Sequence, residues 1–242
     1  MTDKTIVAVL AHPDDEMGFA SVLAHYAARG GRIHLVSLTP GQKGFRDHAG
    51  ISEVEALVQV RKEELRSSCR ILGLEPPRIL DFVDGELPAA DQGQIRTQLQ
   101  EVLDDWAPDV VLTFGPEGVT GHPDHRTVSA FVTEVLQARG TPGPRLFYHA
   151  LTGEAVARFR EETGRTLLGV EERYLTTRVE VSEEAVEAAL RAIGEYRSQF
   201  SPDFMTRIQR CFRETLREVW FRRAFPSLRQ GKPPEGSLFQ RD

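Results

Sequence analysis

The chain has 242 residues, of which 40% are hydrophobic and 27% are charged, and its formal net charge at pH 7 is −6. This length and composition can bury one substantial core, so a single α/β domain is the simplest expectation. The 30 basic and 36 acidic residues form no long block of one sign. This argues against a nucleic-acid or membrane-binding surface and favours a small-molecule partner, and a homo-oligomer is compatible with the sequence.

Membrane and cysteine signals are both weak. No apolar run reaches the about 18 residues that a membrane-spanning helix needs. The N-terminus leads directly into a short apolar segment at residues 6–10 with no cleavage-site pattern, so we expect a cytoplasmic protein. Cys69 and Cys211 are far apart and belong to no Cys/His cluster. Neither a disulfide framework nor a cysteine-based zinc site is therefore expected.

Four short runs rich in β-branched residues alternate with segments of helical period, at residues 5–10, 32–38, 78–82 and 109–113. This alternation predicts a Rossmann-like, doubly wound α/β fold with a mostly parallel sheet. The helix between the second and third runs is predicted to begin at Ser52, with Glu55 completing a capping box, and to end before Gly73.

The rest of the chain predicts further elements, namely strands at residues 145–150 and 172–181 and helices that begin near Ser182 and Ser201. Residues 151–165 show no clear pattern and are expected to form a mobile surface insertion. We expect one domain over residues 1–242, divided into a core at about 5–150, a C-terminal strand and helices at 166–225, and an extended tail at 226–242.

The first chemical motif is Ala11-His12-Pro13-Asp14-Asp15-Glu16, which follows the first predicted strand and precedes the first helix. Open α/β sheets bind ligands at the carboxyl ends of their strands, so this turn brings a histidine and several carboxylates to that edge. The simpler alternative is that the acidic residues only complement the positive N-terminus of the helix.

The second motif is Gly121-His122-Pro123-Asp124-His125, between the strand at 109–113 and a helix predicted at 126–139. Together the motifs offer histidines and carboxylates of the kind that hold a catalytic zinc, which takes three protein ligands and leaves a position for water. The alternative is a turn capped by Asp124 with exposed histidines. Spacing alone leaves open whether Asp14 or Asp15, and whether His122 or His125, binds the metal.

Both motifs resemble the LmbE-like, or PIG-L, family of N-acetylglucosaminyl deacetylases. The similarity extends in the expected order through four further features, Thr39-Pro40-Gly41-Gln42-Lys43-Gly44, the helix from Arg61 to Glu64, Leu72-Gly73 and Asp84-Gly85. It covers most of residues 5–150, and the remaining third matches loosely. The resemblance implies a zinc-dependent hydrolase that removes the N-acetyl group from an N-acetylglucosamine-type sugar or sugar conjugate.

The family pattern also implies roles for individual residues. It gives the zinc ligands as His12, Asp15 and His125. It implies that Asp14 is the general base, that a protonated His122 faces the developing oxyanion, and that Asp124 orients a neighbouring histidine. Whether Asp14 or His122 protonates the leaving amine stays open.

Three residues are candidates for substrate binding. Arg61 lies on the apolar stripe of its helix, where a charge needs a partner. That partner is either a carboxylate of the sheet edge or, as the resemblance implies, a substrate hydroxyl. Asp84 can bind sugar hydroxyls, although an Asp-Gly turn is an equally simple explanation. Gln42 stands where the family often has glutamate, so it can hydrogen-bond a sugar but supplies no negative charge.

Other enzyme classes lack their motifs here. No Gly-x-Gly-x-x-Gly follows a strand, and there is no Gly-x-Ser-x-Gly elbow. Two alternatives remain: a related zinc amidohydrolase that acts on a different N-acyl small molecule, and a non-catalytic, metal-dependent sugar-binding protein. The fold and metal site do not choose the substrate. A binding protein would need no general base, so the presence of Asp14 argues against the second.

Overall fold

A computed structural model of the chain describes residues 3–44, 47–140, 142–224 and 235–239. Within these residues one sheet contains the strands β1 Thr5–Leu10, β2 Arg32–Ser37, β3 Arg78–Ile79, β4 Val110–Phe114, β5 Arg145–Ala150, β6 Thr177–Glu180 and β7 Glu218–Arg223. The strand order is β3-β2-β1-β4-β5-β7-β6. The first five strands of this order are parallel, and β7 pairs antiparallel with both β5 and β6.

The described part of the chain also contains the helices α1 Ala20–Ala27, α2 Val54–Leu72, α3 Gln92–Trp106, α4 Pro123–Arg139, α5 Gly153–Thr163, α6 Glu183–Ile193 and α7 Pro202–Thr215. Helices α1, α2 and α6 pack on one another, and α3 packs on α4. This confirms the predicted doubly wound, mostly parallel α/β fold with a C-terminal helical elaboration. None of the described helices is long and apolar enough to cross a bilayer.

The two central strands β1 and β4 are buried along their whole length. Both read as continuous apolar runs because helices cover both faces of a parallel sheet. They are direct neighbours, with Ile6 aligned to Val110 and Ala8 to Leu112. Their carboxyl ends therefore lie side by side, and this brings the two histidine motifs to one crevice.

Helix ends were predicted with mixed success. Helix α2 ends at Gly73, which takes the left-handed conformation with φ 76°, as predicted. Its start was predicted wrongly, because Glu53 occupies the N-cap and makes no side-chain cap bond. Helix α7 begins as predicted, since the Ser201 hydroxyl accepts a hydrogen bond from the Phe204 backbone N–H.

The C-terminal part departs further from the sequence expectations. Residues expected to form a patternless insertion form α5, which packs on α7. The strand expected at 172–181 is shorter and is preceded by a 3₁₀ turn, and β7 was not predicted. Most of the predicted tail at 226–242 lies outside the described residues, so its extended form stays a prediction.

His149, in β5, provides a test of how the core responds to pH. Burial lowers the pKa of its ring from 6.5 to about 4, although a hydrogen bond with the Gly18 backbone opposes the effect. The unfolded chain therefore binds a proton between these two pH values while the folded chain does not. Stability is fully present above pH 6.5 and decreases as the pH falls towards 4.

We expect wild-type protein to lose on the order of 3 kcal/mol of unfolding free energy between pH 6.5 and 4 through this group, because one pKa unit corresponds to about 1.4 kcal/mol. His149→Phe keeps a ring beside Phe19 and Phe221 but removes the titration. Urea unfolding at several pH values compares the two proteins. Parallel stability profiles would show that the histidine does not titrate in this way.

Candidate active site

The three residues that the family pattern implies as zinc ligands meet at the carboxyl ends of β1 and β4. His12 and Asp15 come from the turn after β1, and His125 lies in the first turn of α4. His12 Nδ1 is 3.3 Å from His125 Nε2, His125 Nε2 is 3.1 Å from Asp15 Oδ1, and His12 Nδ1 is 3.5 Å from Asp15 Oδ2. The ligands of a tetrahedral zinc lie about 3.4 Å apart. The two ring nitrogens are thus spaced as ligands of one divalent metal, and Asp15 places a different carboxylate oxygen beside each of them.

The partners of the two histidines leave the correct nitrogens free for a cation. His125 Nδ1 lies 2.9 Å from the Gly118 carbonyl oxygen, to which it can only donate, so Nε2 keeps its lone pair. His12 Nε2 lies 3.2 Å from Asp124 Oδ2 and 3.0 Å from Asp84 Oδ1, which leaves Nδ1 for a metal. Two lone pairs 3.3 Å apart repel each other unless a cation lies between them. Such outer-shell bonds are typical of metal-binding histidines.

Asp15 supplies the negative charge of the donor set. Its Oδ2 accepts hydrogen bonds from the backbone N–H groups of Ala11, at 3.1 Å, and His12, at 2.7 Å. Burial would raise the pKa of Asp15, but His125 and His12 outweigh it and hold the pKa far below its ordinary value. Asp15 is therefore an ionised, fixed carboxylate, which suits a metal ligand.

Asp124 is completely buried and lies where the family pattern implies an orienting residue. Its Oδ2 accepts the Gly85 N–H at 2.6 Å and its Oδ1 accepts the Leu87 N–H at 3.1 Å. Burial would raise its pKa, but His12 and the Gly85 bond lower it below the ordinary value. An ionised Asp124 thus holds His12 through Nε2 and raises the basicity of the free Nδ1.

Asp14 lies beside the donor set but does not belong to it. Its backbone has φ 105°, a strained conformation for a residue other than glycine. Burial raises the pKa of its carboxyl to about 7, although the charge of Arg61 opposes this rise. Arg61 Nη2 donates to Asp14 Oδ2 at 3.1 Å. The side chain is thus a carboxylate held close to the metal ligands, in a position suited to a general base.

His122 caps α4, because its Nδ1 accepts the Asp124 backbone N–H at 3.1 Å. Its ring centre is 4.8 Å from that of His12 and 5.1 Å from that of His125. Burial, together with these two rings, lowers the pKa of His122. The expected protonated His122 therefore does not agree with this geometry, since protonation of Nδ1 would break the cap. A neutral ring can still donate through Nε2.

The three candidate substrate residues all lie around the site, but their polar atoms face other protein groups. Gln42 accepts the Asp84 N–H at 3.2 Å and donates to the Phe82 carbonyl at 3.4 Å. Asp84 contacts His12 and accepts the Lys43 N–H at 3.1 Å. Arg61 pairs with Asp14, which is the ion-pair alternative. Direct sugar binding by these residues stays a prediction.

Some features of the site carry no clear sequence signal. The Phe114 ring stacks on His125 with centres 4.1 Å apart. The Gly118 carbonyl orients His125, and Thr120 Oγ1 lies 3.2 Å from the same His125 nitrogen. Val119 between them has φ 57°, a genuine outlier for a β-branched residue. The glycines at 115, 118 and 121 are the only hint that this loop turns sharply.

The described residues offer other possible donor sets besides the one implied by the family. His12, His122 and His125 have nitrogens that lie within 4.8 Å of one another, as do the ligand atoms of His12, Asp84 and Asp124. The second set uses His12 Nε2, whose contacts already orient the ring. The first set differs from the family's only in replacing Asp15 with His122.

The fold and the site together place this protein in a class: Rossmann-like proteins in which a cluster of histidines and aspartates can hold a divalent metal. The model of the PIG-L family, described as GlcNAc-PI de-N-acetylase, matches residues 7–136, which is more than half of the chain. The chain therefore belongs to the PIG-L family. It is a hydrolase of the deacetylase class, which acts on N-acetyl amide bonds, as the sequence predicted.

Curated relatives agree with this assignment. A 1D-myo-inositol 2-acetamido-2-deoxy-alpha-D-glucopyranoside deacetylase from Mycolicibacterium vanbaalenii is 28% identical over 222 residues, covering 78% of this chain and 75% of the relative. Across the curated relatives compared, the match spans 56 to 75% of their length.

Solved structures show the same fold at lower identity. N,N'-diacetylchitobiose deacetylase from Pyrococcus horikoshii has a TM-score of 0.71 at 21% identity, covering 91% of this chain and 83% of that one. The zinc-inhibited form of the teicoplanin deacetylase Orf2 has a TM-score of 0.67 at 16% identity, covering 93% of this chain and all of that one. These similarities confirm the α/β architecture.

Proposed function

We propose that this protein hydrolyses the N-acetyl group of an N-acetylglucosamine-type sugar conjugate, with zinc held by His12, Asp15 and His125. The observation that carries the proposal is the approach of His12 Nδ1 and His125 Nε2 to 3.3 Å, with the Asp15 carboxylate beside both nitrogens. The relatives named above act on acetamido sugars, and a zinc-inhibited form is known for one structural neighbour.

The residues divide the reaction between them. A bound divalent ion would polarise the amide carbonyl and acidify the attacking water. Asp14, half-buried beside the ligands, accepts the proton that this water loses, and a proton must then reach the amine nitrogen as the C–N bond breaks. His122 donates a hydrogen bond from Nε2 to the oxyanion, because its Nδ1 is occupied by the helix cap. Asp124 keeps His12 in the tautomer that presents Nδ1 to the metal.

The alternative within the same class is an amidohydrolase that acts on a different N-acyl small molecule. It shares the metal centre and differs only in which substrate the residues around that centre recognise. The polar groups of Gln42, Arg61 and Asp84, which lie around the site, contact other protein groups. A non-catalytic sugar-binding protein is less well supported, since it would have no use for the strained, half-buried Asp14. The cytoplasmic location and a homo-oligomeric state stay predictions.

The proposal is tested by stripping the purified protein with a chelator and returning single divalent ions. We expect zinc to restore the release of primary amine from glycosides of N-acetylglucosamine, and the stripped protein to be inactive. Simple N-acetylated amines without hydroxyl groups serve as the matched comparison. We expect these amines to react much more slowly, because they have no hydroxyl groups to contact the residues around the metal site.

Each other outcome points to a different conclusion. Equal rates on sugars and simple amines would favour the broader amidohydrolase. Saturable, metal-dependent sugar binding without amine release would favour the binding protein. Amine release from fully stripped protein would remove the metal from the proposed mechanism.

A further inference from the structure

Arg61, on α2, is the one guanidinium among the described residues that reaches the catalytic turn. It is only 3% exposed. Its Nη2 donates to the Pro13 carbonyl and to Asp14 Oδ2, and its Nη1 donates to the Gly41 carbonyl at 2.8 Å. One side chain thus joins α2, the turn after β1 and the turn after β2.

The surroundings of Arg61 leave no space for a sugar. A methyl group built on Gly41 would lie 2.1 Å from Nη1, and one built on Gly44 would lie 2.6 Å from it. Backbone therefore packs directly on the guanidinium, which glycine alone allows. Nε, another of its donors, is buried without a hydrogen-bond partner among the described residues. Because Arg61 is only 3% exposed, a substrate hydroxyl could reach its guanidinium only if the backbone packed on it moved.

The contacts of Arg61 fall on the most strained part of the catalytic turn. Asp14 has φ 105°, and its side chain makes no cap bond to the 3₁₀ turn that follows. Such a conformation costs about 1–3 kcal/mol and persists only where neighbouring groups over-determine it. Arg61 binds the carbonyl before Asp14 and the carboxylate of Asp14, so it fixes both the backbone and the side chain.

We propose that Arg61 is a positioning residue, which holds the Asp14 turn in its strained conformation and aims the carboxylate at the attacking water. This inference rests on the proposed function, in which Asp14 is the base. Arg61 acts through Asp14 and touches neither the metal nor the substrate. Its loss therefore lowers turnover for every substrate by the same factor, while KM changes little.

The first experiment compares wild type, Arg61→Met and Arg61→Lys on an N-acetylglucosamine glycoside and on a simple N-acetylated amine, with zinc content measured on the same samples. We expect Arg61→Met to lower kcat about 100-fold on both, the typical cost of a 1 Å misplacement. Arg61→Lys keeps the charge but cannot bridge all three acceptors, so its kcat should lie between the two. Arg66→Met, which changes an exposed arginine on the same helix, is the control.

A double-mutant cycle with Asp14→Asn tests whether Arg61 acts through Asp14. We expect Arg61→Met to have little further effect once the base is gone, because coupled residues are not additive. Additive losses, or a rise in KM confined to the sugar, would overturn the proposal and restore the substrate role. If Arg61→Met fails to fold, Arg61→Lys carries the same comparison. Failure of wild type to release amine with any divalent ion would instead refute the proposed function.

Discussion

Asp14→Asn is expected to retain the metal and lose between about 100-fold and 10,000-fold in kcat, the usual contribution of a general base. The amide is nearly the same size as the carboxylate and its oxygen can still accept the hydrogen bond from Arg61. It cannot take a proton from water. The metal ligands are untouched, since Asp14 contributes no atom to the donor set formed by His12, Asp15 and His125.

The measurement needs turnover and zinc content from one preparation, so that loss of base and loss of metal are separated. Asp81→Asn makes the same chemical change at a side chain that is 85% exposed, and it should leave kcat unchanged. If Asp14→Asn turns over at a near-normal rate with full zinc, another group removes the proton. His122 would then be the first candidate, because its ring lies closest to His12.

The sheet was predictable because the apolar sequence pattern of its central strands agrees with their burial in the folded protein. The run from Ile6 to Leu10 is apolar throughout and is buried on both faces. Local turn chemistry also worked where one residue determines it, as at Gly73 and at Ser201. The short β3 was over-predicted, since only Arg78 and Ile79 pair with β2 although the apolar pattern runs further.

The elements that sequence reasoning missed depend on partners that lie far away in the chain. Strand β7 alternates buried and partly exposed residues and pairs with β5, about 70 positions earlier. Helix α5 buries only Phe159 and Thr163, so its apolar stripe is too narrow to stand out. Phe159 is covered by Phe212 of α7, a contact that no local pattern indicates.

The site shows the same division between local and distant information. Two motifs at the ends of adjacent strands were enough to predict that their histidines and aspartates share one crevice, because strand order fixes where those ends meet. The choice of His12, Asp15 and His125 among them came from the family resemblance. The backbone partners of Arg61 and the contact of Asp84 with His12 were not predictable, since they depend on the turns after different strands. Arg61 was expected to pair with a sheet-edge carboxylate or a substrate hydroxyl, and Asp84 to bind the sugar or form a turn. The structure places their charges against Asp14 and His12.

His125→Ala is expected to lower metal affinity by more than about 100-fold, which is the upper limit seen when an outer-shell partner is lost. Turnover should fall in parallel, because His125 Nε2 lies beside His12 and Asp15 while Gly118 and Thr120 hold the opposite side of its ring. Elemental analysis after dialysis against a weak chelator measures the loss. His25→Ala, on the exposed side of α1, is the matched control.

The same assay distinguishes the two donor sets that contain His12 and His125. If Asp15 is the third ligand, Asp15→Asn loses the metal and His122→Ala keeps it while turning over more slowly. If the ligands are three histidines, the two variants exchange their behaviour. Asp15 already receives two backbone N–H bonds on Oδ2, which leaves Oδ1 for an ion, whereas His122 has only Nε2 free. A carboxylate also neutralises part of the charge of a divalent ion in a buried site, so Asp15→Asn is the variant expected to release the metal.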